Sequence, residues 1–297
     1  MIVDDQGRRL ITGYVPKLAL TYAGIVCYGI LAVAFWARFF AHGRHKYMLT
    51  LCIGTSTMAV GFGIRVIMTD KPDQLGVYIA TTLFTLLSPC AFLANDYIIL
   101  PRLARWLEAE DQLFMRASRV TKTFIWSDVI TFWLQAAGGG LSASQSEGMQ
   151  KTGLYVALIG LIIQCVSFLL FLCLAIVFGY RIRGTPKWTN APLNSQGYTV
   201  HLRKMEDWRI ILYAVLWTGI GIMIRCVFRV IEYAEGFDGN LRNTEWAFYV
   251  FDALPLFLAI AVWVFVWPPA IMKDQNELFR TAATSPTQFP LTVRENS

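Results

Sequence analysis

Three arginines and three carboxylates sit in stretches of this chain that are otherwise apolar. Arg225, Arg229 and Glu232 fall within or at the end of one apolar run, and Glu245, Tyr249 and Asp252 open the next. Both triplets have the spacing i, i+4, i+7, which lines residues along one face of an α-helix. Arg65 stands near the end of a third apolar run. A charge at membrane depth costs about 3 kcal/mol on insertion scales, so it turns to the bundle interior and takes a partner. The three arginines can therefore meet the three carboxylates at one depth. Two readings fit: a salt-bridge network that only clips helices together, or a polar cavity that accepts a charged headgroup.

A second polar line runs through Asp128 and Gln135, one heptad apart and on one helical face. Gln164, in the middle of a neighbouring run, is a suitable partner. Hydrogen bonding between helices, at about 0.6 kcal/mol each, accounts for the two glutamines. Asp128 is different, because an unpaired carboxylate at that depth takes up a proton and so leaves room for a proton-dependent step. The run Gly138-Gly139-Gly140 and the pair Ser88-Pro89 permit close helix packing or an unwound turn. Asn95 and Asp96 are expected to face the headgroups, and Tyr22, Trp106, Trp208, Trp246 and Trp267 to form an aromatic belt.

The elements that must position these residues are membrane-spanning helices. Of 297 residues, 56% are hydrophobic and 15% charged, and the mean hydropathy is +0.48; an ordinary soluble domain is far more polar. Apolar runs long enough to cross a hydrocarbon core of about 30 Å occupy roughly 19–40, 48–69, 76–100, 122–142, 153–179, 209–231 and 246–268. The expected architecture is thus an all-α, polytopic bundle of seven transmembrane helices. Lys and Arg fall unevenly around the runs: seventeen lie on one side, against six on the other and three inside. By the positive-inside rule the richer side is cytosolic, which puts the N-terminus outside and the C-terminus in the cytosol. The expected organisation is an extracellular segment 1–18, a transmembrane domain 19–269 and a cytosolic tail 270–297. The first eighteen residues hold no apolar run that could act as a cleavable signal. The stretch 180–208, rich in Gly, Pro and Asn, is expected to be a flexible cytosolic loop.

Several chemistries lack their residues. Only three histidines occur, His42, His45 and His201, all outside the apolar runs. An intramembrane zinc hydrolase or a bis-histidine haem needs histidines at membrane depth, so no metal or cofactor is expected. There is no HExxH, P-loop or GxSxG motif, and no enzyme activity is expected. The six cysteines lie in apolar runs without a CxxC pair, which argues against disulfides. The net charge of +6 is spread over the inter-helix segments as a topology signal, so nucleic acid is not an expected partner.

The strings SDVITFWLQAAGGG (127–140), GLIIQ (160–164), FRVIEYAEGFDGNL (228–241) and EWAFYVFDALP (245–255) resemble the signature segments of the fungal RTA-like family of seven-span proteins, also called lipid-translocating exporters. GYVP at 13–16 and ILPRLAR in the third run resemble weaker motifs of that family. The resemblance covers roughly residues 13 to 269. It implies resistance to toxic lipophilic compounds, movement of sphingoid long-chain bases or phospholipids, and in one branch porphyrin traffic, with the plasma membrane as the expected location. The positions matching its motifs are Asp128, Gln135, Gln164, Arg229, Glu232, Glu245 and Asp252, joined by Arg65 and Arg225; Lys17 and Asp96 depart from its pattern. The substrate-binding set expected from residues and resemblance together is Arg65, Asp128, Gln135, Gln164, Arg225, Arg229, Glu232, Glu245, Tyr249 and Asp252. The leading expectation is a translocator of amphiphilic membrane lipids. The alternative is a seven-span lipid sensor that signals through its cytosolic loops.

Overall fold

A computed structural model describes residues 17–70, 74–142, 146–185, 208–236 and 244–272, together with positions 144, 188, 239 and 241. Nearly all of the expected extracellular segment 1–18 and of the tail, the GYVP motif and most of the loop 180–208 lie outside the described residues. Among those residues every regular element is helical. The long helices are α1 (Leu18–Ala41), α2 (Leu49–Asp70), α3 (Leu75–Trp106), α4 (Ala117–Ser142), α5 (Glu147–Arg183) and α6 (Arg209–Glu235). A seventh, α7, joins Glu245–Phe248, one π-helical turn at Tyr249–Ala253, and Leu254–Phe265; the short α8 (Pro268–Ile271) follows.

Six of these helices are long and apolar enough to cross a membrane. The exception is α4. At 26 residues it has the length, but Arg119, Lys122, Asp128 and Gln135 leave it less apolar than its neighbours. Its buried side is lined by Phe124, Asp128, Thr131, Gln135 and Gly138, while Trp126, Ile130 and Trp133 are exposed. Polar residues thus face the protein and apolar ones face outward, the reverse of a helix in water. The chain is a polytopic helical membrane protein.

Sequential helices pack side by side from α1 to α7, α7 returns to α1, and α3 crosses to touch α6. Two close approaches fix this order. A Cβ on Gly138 would lie 2.4 Å from the Ala157 nitrogen, and one on Gly153 would lie 2.4 Å from the Ser142 nitrogen. Only glycine lets the α4 and α5 backbones touch there, so Gly138 and Gly153 serve packing, whereas Gly139 and Gly140 face open space or ordinary contact. A Cβ on Gly221 would meet the Pro255 carbonyl at 2.7 Å, which seats α6 against α7. Trp263 Nε1 donates to Thr218 Oγ1 at 2.9 Å and locks the same pair.

Three expectations are corrected. Ser88-Pro89 does not interrupt α3, which runs on through both Pro89 and Pro101 to Trp106. Asn95 and Asp96 consequently lie ten or more residues, about 15 Å, from the helix end; both are fully buried rather than facing headgroups. Trp208 and Trp267 are also buried, the latter stacked on Phe35, whereas Tyr22 and Trp246 are exposed as a belt requires.

Candidate functional site

The two triplets face each other across the α6–α7 contact. Arg229 is held at two points: its Nε donates to Asp252 Oδ1 at 2.6 Å and its Nη1 to Glu232 Oε2 at 2.9 Å. Arg225, one turn below, brings Nη1 to 3.2 Å from the same Asp252 oxygen. Asp252 is fully buried and therefore sits between two guanidinium groups. Such an arrangement is tolerable in a dry interior because each charge has an immediate counter-charge.

Arg65 of α2 reaches Glu245 at 3.9 Å. Its guanidinium also lies 4.6 Å above the Phe248 ring, and Arg229 approaches the same ring at 5.3 Å. Phe248 is thus an apolar spacer that holds two cations apart by their attraction to its π-faces. Glu245 accepts a further bond, from the Lys17 backbone nitrogen at 2.8 Å, and Tyr249 Oη is 3.3 Å from Thr21 Oγ1. These contacts tie α1 to the same end of α7.

Two prolines shape the site. Pro89 has no N–H to give the Thr85 carbonyl four residues earlier. Arg225 Nη2 donates to that oxygen at 3.2 Å. The helix defect in α3 is therefore an acceptor for an arginine of α6. Pro255 acts likewise on α7: its ring crowds the carbonyl of residue 251, and the helix widens into the π turn at Tyr249–Ala253. Glu245, Tyr249 and Asp252 consequently do not share one α-helical stripe. Glu245 and Tyr249 point toward α1 and α2, while Asp252 is turned to α6.

Beside the network lies a recess of about 90 Å³, formed by α2, α3, α6 and the start of α7. Arg65, Arg229 and Glu232 line it, with Tyr78, Thr81 and Thr85 opposite. It has room for a small polar headgroup. On the outward side of α6, behind the stacked Phe228 and Phe251 rings, is an apolar groove of about 520 Å³.

Asp128, Gln135 and Gln164 take no part in the ion pairs of the arginine network among the described residues. Gln135 Nε2 donates to Gln164 Oε1 at 2.8 Å, and Gln164 Nε2 approaches Cys90 Sγ at 3.7 Å. The glutamines share a narrow recess, about 10 Å³, with Arg225 and Arg229. Asp128 does not reach it. Both of its carboxyl oxygens are buried and lack a hydrogen-bond partner among the described residues. Of the ten expected site residues, the structure gathers seven into the network and leaves these three in a line leading away from it.

Phe248 and the Thr85 carbonyl are missing from the expected set. Both had a signal: Phe248 lies three residues after Glu245, and a proline inside an apolar run always frees one carbonyl.

The family model described as RTA1 like protein matches residues 51–275, most of the chain and all of the residues just described except those of α1. The chain belongs to the RTA1-like family. Protein RTA1 of Saccharomyces cerevisiae is 30% identical over 215 residues, covering 72% of this chain and 63% of that protein. Protoporphyrin uptake protein 1 of the same yeast is 30% identical over 210 residues, 68% of this chain and 62% of that protein. The sphingoid long-chain base transporter RSB1, also from Saccharomyces cerevisiae, is 24% identical over 288 residues, 89% of this chain and 75% of that protein. The chain thus spans somewhat less than two thirds of the length of the first two RTA1-like relatives. No solved structure matches it.

Proposed function

We propose that this RTA1-like chain moves an amphiphilic lipid, a single-chain amine of the sphingoid-base type, between the leaflets of the plasma membrane, and so contributes to resistance to toxic lipophilic compounds. In this reading α4 is a seventh span, the N-terminus is outside and the C-terminus is cytosolic. The packing of α4 between α3 and α5, its outward apolar face and the excess of Lys and Arg on one side support that topology.

The observation that carries the proposal is the polar recess bordered by Glu232 and Arg229, whose other carboxylate partner is Asp252. A headgroup amine entering there finds carboxylates already surrounded by donors, so it exchanges one cation for another instead of meeting bare hydrocarbon. Glu232 and Asp252 hold the amine, and Arg65, Arg225 and Arg229 set the geometry of the carboxylates. Glu245 and Tyr249 brace the site through α1. Asp128, Gln135 and Gln164 continue the polar line inward. The recess suits a headgroup, while the tail stays in lipid, with the apolar groove on α6 as its nearest surface. The name of RSB1 supports the substrate class.

The test is export of tail-labelled sphingosine from cells producing Asp252→Asn or Glu232→Gln protein. Variants that reach the plasma membrane are expected to lose at least tenfold in export rate. Export at the normal rate would defeat the assignment.

A further inference from the structure

The charges of the bundle do not balance. Arg65, Arg225 and Arg229 offset Glu232, Glu245 and Asp252 one for one, which leaves Asp96 and Asp128 over. Neither makes an ion pair among the described residues, and all four of their carboxyl oxygens are buried without a hydrogen-bond partner. Two donors adjoin them in residues with no exposed surface, Asn95 Nδ2 and Tyr97 Oη, and neither makes a well-formed hydrogen bond among the described residues. The Tyr97 hydroxyl stands beside the Asp128 carboxyl, close enough to act on it directly, and lies in the field of both Asp128 and Asp96. A carboxyl with no cation beside it in a dry interior can change its charge only by exchanging a proton.

The ionisable groups that act on this cluster among the described residues come mainly from α3 and α6. From α3 come Cys90, Asp96 and Tyr97, and from α6 come Arg225 and Cys226; Cys165 of α5 acts only on Cys226. Arg225 is the one cation among them. It and Asp128 act on the same two thiols, Cys90 and Cys226. Arg225 is sixteen residues from the start of α6 and Asp128 eleven from the start of α4, both at the same end of the bundle, so their depths differ by only about 8 Å. Among the described residues, Arg225 Nε and Asp252 Oδ2 have no hydrogen-bond partner. The arginine is held at its tip and not along its length.

We propose, resting on the amine-translocation reading above, that Arg225 is a charge shuttle: an amine bound at Asp252 releases Arg225 to Asp128, which gives up a proton, so that one cationic headgroup is exchanged for one proton. The step balances. The ion pair of Arg225 with Asp252 is replaced by that of the amine with Asp252, the O–H bond of the Asp128 carboxyl breaks, and its carboxylate pairs with Arg225. As the amine is taken from the inner side, the proton passes by Tyr97 to Asp96, which hands its own to water at that end; when the amine leaves on the outer side, Arg225 returns to Asp252 and Asp128 regains a proton from the outer side. The bundle keeps the same net charge throughout, and the narrow recess lined by Gln135 and Gln164 lies beside the arginine's path. The ligand of the Asp96–Asp128 site is therefore a proton, and its role is to drive transport.

The experiment uses the full chain in proteoliposomes with a trapped pH dye and tail-labelled N,N,N-trimethylsphingosine. This probe has no titratable proton and cannot redistribute by itself with pH. Wild-type protein is expected to accumulate it at least tenfold against its gradient when a pH gradient of two units is imposed, and to move protons in the opposite direction. Asp128→Asn should abolish both pH-driven accumulation of the probe and the opposing proton flux. Asp96→Asn should slow proton flux at least fivefold. Wild-type movement that ignores the pH gradient would overturn the exchange and leave lipid translocation standing. Asp128→Asn protein that still accumulates the probe would overturn the shuttle, and a wild type that moves no probe at all would remove both readings.

Discussion

In the network joining α6 and α7, each carboxylate meets a guanidinium: Glu245 meets Arg65, Glu232 meets Arg229, and Asp252 meets both Arg225 and Arg229. Around α3 and α4, Asp96 and Asp128 make no ion pair among the described residues, and their adjoining polar groups are the neutral side chains of Asn95 and Tyr97. Asp252, Asp96 and Asp128 are all buried, whereas Arg229 and Glu232 keep some exposed surface. The difference lies in what happens when one member is removed. In the first, deleting a carboxylate strands two charges in a dry interior; in the second, neutralising a carboxyl changes little in the resting state. One network is held together by its charges, and the other has charge available to exchange.

The largest effect should therefore come from Asp252→Ala, which leaves Arg225 and Arg229 without their shared partner. A loss of about 3–5 kcal/mol is expected, read as a fall in the unfolding midpoint of the purified protein in detergent. Next is Gly221→Val, which leaves every charge in place but drives a side chain into Pro255 and Ala259. Pushing α6 off α7 should cost about 1–3 kcal/mol, and crosslinking between cysteines placed on α6 and α7 should slow with it. Arg65→Lys comes third. It keeps the charge but loses the planar contact with Phe248, and a cost of about 1 kcal/mol is expected in the same unfolding assay. The smallest effects belong to the other region: Gln135→Leu at about 0.6 kcal/mol, and Asp128→Asn within about 1 kcal/mol of wild type. A midpoint for Asp128→Asn as low as that for Asp252→Ala would erase the distinction between the regions.

The helical bundle and its ion pairs were legible because their signals are local. A run of apolar residues fixes a span by length alone, and the spacing of 225/229/232 sets a helical face without reference to any other helix. The pairing across α6 and α7 followed from depth, since both triplets lie close to the short connection between the two helices. The π turn was hidden, because one added residue in a helical turn leaves no periodic trace; only Pro255 hinted at it. Asp96 was misplaced for a related reason. Pro101 reads as a helix end, but α3 tolerates it and continues to Trp106, which moves the carboxyl from the interface into the core. Burial of Trp208 and Trp267 depends on which helices meet at that end, and a single sequence does not carry that information. The polar content of α4 had the opposite effect. It makes the helix look unlike a span by composition, while its outward-facing Trp126, Ile130 and Trp133 account for how it can meet lipid.

The most direct test of the central claim, that the charges of α6 and α7 neutralise one another inside the bundle, is a double-mutant cycle between Arg229 and Asp252. Unfolding free energies would be measured for wild type, Arg229→Met, Asp252→Leu and the double variant in one detergent. The pairing predicts a coupling energy of about 1–3 kcal/mol, with the double variant more stable than at least one of the single variants. Additivity within about 0.5 kcal/mol would mean that the two side chains do not sense each other, and would contradict the account.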